Sequence, residues 1–76
     1  MERPDASLIP TTPGVYLYKD ALGKIIYVGK ARNLRKRILS YFRPKEQLTP
    51  KTVAMIGHAV SLDTLNTTTE KEALLL

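Results

Sequence analysis

An α+β domain is what this chain predicts, on three observations. Two short runs have the two-residue period of strands and are joined by a turn, a Thr-rich third run lies near the end, and helical stretches fill the space between. The length of 76 residues holds one small domain. An apolar content of 43% is that of a folded chain rather than a disordered basic tail.

Thr11-Thr12-Pro13-Gly14 is a turn cluster, followed by Val15-Tyr16-Leu17-Tyr18 in strand alternation. Asp20-Ala21-Leu22-Gly23 reads as a turn and Lys24-Ile25-Ile26-Tyr27-Val28 as a second strand, giving a hairpin. Two registers are open. A four-residue loop pairs Lys19 with Lys24, setting Tyr16 opposite Tyr27 and Tyr18 opposite Ile25, with Val15, Leu17, Ile26 and Val28 as an aliphatic core face. A three-residue loop ending in a left-handed Gly23 shifts the pairing by one and separates the tyrosines.

Asn33 is a suitable N-cap for a helix over Leu34 to Phe42, whose apolar residues Leu34, Ile38, Tyr41 and Phe42 recur at helical spacing. At about 100° per residue, Arg32 and Lys36 point to solvent, while Arg37 falls beside Tyr41 on the seam between helix and sheet. Pro44 ends this helix. Val53, Ile56 and Val60 mark a second helix with Pro50 near its start, and Ser61 to Thr68 reads as the third strand. Thr69-Glu70-Lys71-Glu72 matches a capping box that opens a further helix carrying Ala73-Leu74-Leu75-Leu76.

The net charge of +5 is unevenly placed: eight basic residues and no acidic one lie between Ala21 and Lys45, while both flanks are slightly acidic. Such a block suits a polyanion such as nucleic acid or an anionic membrane surface, because phosphate contacts release counterions. With no Cys and a single His, His58, the chain is neither a disulfide scaffold, a zinc finger nor a cysteine hydrolase. It lacks a phosphate-cradling G-x-x-x-x-G-K-[ST] loop. There is neither an apolar run of membrane-spanning length nor an apolar segment behind Met1–Asp5, so the expected setting is cytoplasmic with no membrane partner.

Phosphodiester hydrolysis needs an activated water, a cation facing the phosphate and help for the leaving oxygen. A tyrosine hydroxyl titrates near pH ~10 in water and works as a base where a neighbouring cation lowers that value. Tyr27 with Lys30 is such a pairing, Arg37 offers a planar fork for phosphate oxygens, and Gly29 leaves room for close approach.

Gly14-Val15-Tyr16 followed by Tyr27-Val28-Gly29-Lys30 resembles the paired motif of the GIY-YIG nuclease family. The wider text is similar to the amino-terminal domain of the UvrC branch, over Ile9–Tyr16, Ile26–Arg37, Ser40–Arg43 and Asn66–Leu76. The resemblance implies a small three-stranded antiparallel sheet flanked by helices. It implies Tyr16, Tyr27 (general base), Lys30 (its assistant), Arg37 (on the scissile phosphate) and Tyr41 as catalytic residues. Gly29, Arg32, Arg35, Lys36 and Arg43 are the expected contacts to the DNA backbone. The implied reaction is Mg²⁺- or Mn²⁺-dependent incision of DNA 3′ to a lesion in nucleotide excision repair, on a UvrB–DNA complex.

In the family, a metal-binding glutamate directly follows the stretch matched by Ala73–Leu76, so no residue of this chain is assigned to metal; Glu70 and Glu72 are explained by the capping box. The expectation is a single catalytic domain over 1–76 lacking its C-terminal part. As an isolated fragment it should be inactive, marginally stable and able to associate with a second copy.

Overall fold

The structure, a computed structural model, describes residues 1–67. Strands β1 (Gly14–Lys19), β2 (Ile25–Ala31) and β3 (Ser61–Asn66) form one antiparallel sheet in the order β2-β1-β3. Helices α1 (Leu34–Leu39) and α2 (Pro50–His58) lie between β2 and β3 in the chain, with single 3₁₀ turns at Ala6–Leu8, Ser40–Phe42 and Lys45–Gln47. The predicted first helix is thus α1 and its tightened last turn, a common helix ending. The helix expected from Thr69 onward lies outside the described residues.

At its turn the hairpin takes the register of the three-residue loop, with Lys19 paired to Ile25 and the Asp20 N–H donating to the Lys24 carbonyl, and a bulge then shifts the pairing by one further residue. Tyr16 pairs with Gly29 and Tyr18 with Tyr27, and Lys19 then pairs with Ile25, so Ile26 is an extra residue on β2. The connecting turn is organised by Asp20, whose carboxylate accepts from the backbone N–H groups of Leu22 and Lys24, and by Gly23 at φ +79°. The left-handed glycine was foreseen; the bulge was not, since an unpaired residue leaves the alternation of β2 looking regular.

The core face is also mainly the opposite of the one expected, although Val15 is buried and Ile26 packs against the core. Tyr16 and Tyr18 are buried with Leu34 and Ile38, all at 2% exposure or less, alongside Ile9, Ala31 and Ala59. Val28 and Leu65, opposite Leu17 and Val15 on the other face, are half-exposed. The tyrosine face wins because a ring buries more area than a valine, and because α1 docks Leu34 and Ile38 there, each worth about 1.5–3 kcal/mol. Gly14 permits this docking: a Cβ there would clash with Leu34 and the Leu65 carbonyl.

The first helix begins at its predicted cap, and the second carries Pro50 near its start as predicted but takes its cap from Thr49, which sequence reading did not single out. The Asn33 side chain accepts from the Lys36 N–H at 3.0 Å. Thr49 caps α2 by accepting from the Thr52 N–H, with Pro50 in the first turn. The segment before β1 completes the entry to α1, since the N–H groups of Leu34 and Arg35 donate to the carbonyls of Thr12 and Pro10.

Candidate active site

Three devices aim the tyrosines. The period of β1 sends Tyr16 and Tyr18 to one face. Gly29, directly opposite Tyr16, has no side chain, and the ring lies over it; a Cβ there would overlap that ring. The space expected to admit a phosphate at Gly29 is therefore filled by Tyr16. The bulge at Ile26 lets consecutive residues, Ile26 and Tyr27, line the same cleft, as a bulge does by placing neighbouring side chains on one side. Tyr41 arrives from the 3₁₀ turn that follows α1.

The result is a cluster of four rings. Tyr16 and Tyr41 have centroids 5.8 Å apart and share a hydroxyl–hydroxyl hydrogen bond of 2.6 Å. Tyr27 stands 6.2 Å from Tyr16 and 6.1 Å from Tyr41, and Tyr18 packs edge-on against Tyr41 at 5.6 Å. Burial raises the Tyr16 hydroxyl above the ordinary tyrosine range, with its bond to Tyr41 pulling the other way. Tyr41 is raised by burial and then by that same bond, and Tyr18 by burial and then by neighbouring Tyr16 and Tyr27. These three are held protonated at neutral pH, Tyr16 and Tyr41 as a hydrogen-bonded pair. Tyr27 differs in position: at 38% exposure it is the most open residue of the four.

Beside the cluster runs an open basic groove of about 900 Å³, lined by Lys30, Arg32, Lys36, Arg37 and Arg43 with Ala31, Asn33 and Ser40. Five expected site residues thus share one surface. Arg37 and Arg43 also line the adjoining cleft with Tyr27 and Tyr41, which joins cations to hydroxyls. Arg35 is not brought there: half-buried, it donates from Nε to the Ile9 carbonyl at 2.9 Å and ties α1 to the N-terminal segment. The groove attracts anions through side chains, because the N–H groups of Leu34, Arg35 and Lys36 at the start of α1 are already bonded.

Neither the groove nor the cleft is lined by a carboxylate, and among the described residues no group of His, Asp or Glu could hold a metal ion. The described residues thus do not fit a divalent cation, and no chemistry is routed through one below. The residues not foreseen are Tyr18, Ser40 and the cleft-lining Ile26, Lys51 and Met55. Tyr18 was signalled by its two-residue spacing from Tyr16; the others come together only when α2 packs by the hairpin.

The sequence pattern described as the UvrC-like GIY-YIG domain matches residues 12–76. The UvrABC system protein C of Nitratidesulfovibrio vulgaris is 75% identical over all 76 residues, and that of Lawsonia intracellularis 72%. The chain spans only 11% and 12% of those relatives' lengths. Among solved structures, the GIY-YIG N-terminal endonuclease domain of UvrC from Thermotoga maritima, bound to magnesium as its catalytic divalent cation, superposes with a TM-score of 0.80 at 37% identity. That match covers 92% of this chain and 74% of the solved one. With its motif tyrosines gathered on one sheet face beside a basic groove, and with these matches in sequence and fold, the chain belongs to the UvrC-like GIY-YIG domain family.

Proposed function

We propose that this chain is the phosphodiester-cleaving module of a DNA endonuclease of the UvrABC excision-repair system, making the incision 3′ to a lesion on a UvrB–DNA complex in the cytoplasm. The observation that carries this reading is the meeting of the tyrosine cluster and the basic groove along Arg37 and Arg43. Among the described residues no helix is long and apolar enough to cross a membrane.

In this reading the groove binds the strand through its phosphates, with Arg32, Lys36 and Arg43 setting position. Arg37 holds the scissile phosphate, its fork matching two oxygens as charge develops there. Tyr27, exposed and on the strand that carries Lys30, takes the proton from the attacking water. The Tyr16–Tyr41 bond holds Tyr41, which lines the cleft with Arg37, in place beside the phosphate. A divalent cation such as the magnesium of the Thermotoga domain would add charge neutralisation at the phosphate, held by groups outside residues 1–67.

The test is strand nicking by the full-length protein with magnesium or manganese. Tyr27→Phe and Arg37→Ala are each expected to abolish nicking while the fold survives. Full activity in both variants would remove the catalytic assignment and leave a basic binding module.

A further inference from the structure

The cleft that adjoins the basic groove has its own chemistry. It encloses about 520 Å³ and shares Arg37, Ser40 and Arg43 with the groove. The groove is walled by cations and polar groups, with Ala31 its one aliphatic residue among those described. The cleft adds Ile26, Leu48 and Met55, each half-buried, beside the rings of Tyr27 and Tyr41, with polar groups and exposed Lys51 from the first turn of α2.

A phosphate gains nothing from apolar surface, whereas a nucleobase stacks on aromatic rings and packs against a polarisable thioether. The volume is that of an ordinary small-ligand site. Bases inside a duplex already use both faces for stacking, so this cleft accepts a base only from a nucleotide pulled out of the helix. Arg37 lines both the groove and the cleft, so a strand whose phosphate is held there can reach the cleft, whose lining includes Lys51.

We propose that the cleft receives an unstacked nucleoside of the cleaved strand, the one flanking the scissile phosphate, and that Lys51 holds the phosphate beyond it. This rests on the DNA-cleaving reading above and adds to it a base-binding subsite.

The experiment uses the full-length protein, without divalent cation, bound to duplexes carrying 2-aminopurine at either nucleotide flanking the cut. Emission is expected to rise severalfold at one of the two positions only. An abasic residue at that position should weaken binding by about 5- to 150-fold, the value of one base stacked on an aromatic side chain. Met55→Trp, which fills the cleft, should suppress the emission rise; since Met55 also packs on the core, the abasic substitution provides an arm that does not depend on that variant folding. Lys51→Ala should reduce the salt slope of binding by about 0.9. Dim emission at both positions, with abasic DNA bound as tightly as intact DNA, overturns the subsite and leaves the nuclease reading standing. Loss of salt-sensitive binding altogether overturns the nuclease reading itself.

Discussion

The Tyr16 and Tyr41 hydroxyl oxygens lie 2.6 Å apart, a short hydrogen bond between the central strand and the turn after α1, made 25 residues apart in sequence. It fixes the sheet to the helix at the point where the motif tyrosines meet the cationic side chains. The bond is partly buried, and it holds the two rings at 60° to one another.

Breaking that bond from one side exposes its energy. Tyr41→Phe leaves the Tyr16 hydroxyl buried without its partner, so it is expected to destabilise the fold by about 1–3 kcal/mol in urea unfolding. Tyr18→Phe should go the other way. The Tyr18 hydroxyl is buried with no hydrogen-bond partner among the described residues, so its removal should leave the midpoint unchanged or raise it. A large loss in Tyr18→Phe would reveal a partner for that hydroxyl.

The glycines separate packing from propensity. Gly29→Ala drives a methyl into the Tyr16 ring and should cost about 1–3 kcal/mol. Gly57→Ala, in α2 with nothing within 4 Å of the added carbon, should stabilise by roughly 0.4–1 kcal/mol. Chemical denaturation of the two variants beside the parent decides both.

Alkali should unfold this protein through its tyrosines. The folded-state pKa values of Tyr16, Tyr18 and Tyr41 are raised above the unfolded value of about 10. Above that pH the unfolded chain binds fewer protons than the folded one, so stability falls as pH rises. The contribution is fully present below about pH 10 and is lost as the pH climbs toward the folded values. Tyrosinate absorbance from Tyr16, Tyr18 and Tyr41 should appear together with unfolding.

Four arginines and lysines of the first helical region divide by role. Arg32→Ala, Lys36→Ala and Arg43→Ala should each lower the slope of log affinity against log salt by about 0.9 for DNA. Arg35→Ala should leave that slope unchanged and instead cost about 1 kcal/mol of stability, the value of its bond to the Ile9 carbonyl. A reduced slope in Arg35→Ala would place this guanidinium on DNA after all.

For Tyr27 the prediction concerns rate. If its hydroxyl takes the proton from water, Tyr27→Phe in the full-length protein should lower kcat by about 10²–10⁴ while retaining salt-sensitive DNA binding. Single-turnover nicking under saturating enzyme measures the chemical step apart from affinity.

Much of this protein is legible without coordinates. The hairpin, the Asn33 cap, Pro50 in the first turn of α2 and the basic block are local matters, set by turn chemistry, capping oxygens and charge within a few residues of one another. The paired motif and its neighbours likewise carry the family by their text alone. Tertiary structure decided which face of the hairpin is core, because the docking of Leu34 and Ile38, not the alternation of β1, chose the tyrosine side. It decided the register through a bulge at Ile26 that no residue type announces, and it turned Arg35 inward while its neighbours Lys36 and Arg37 joined the groove. Those outcomes depend on contacts between residues distant in the chain, and neither period nor propensity measures such contacts.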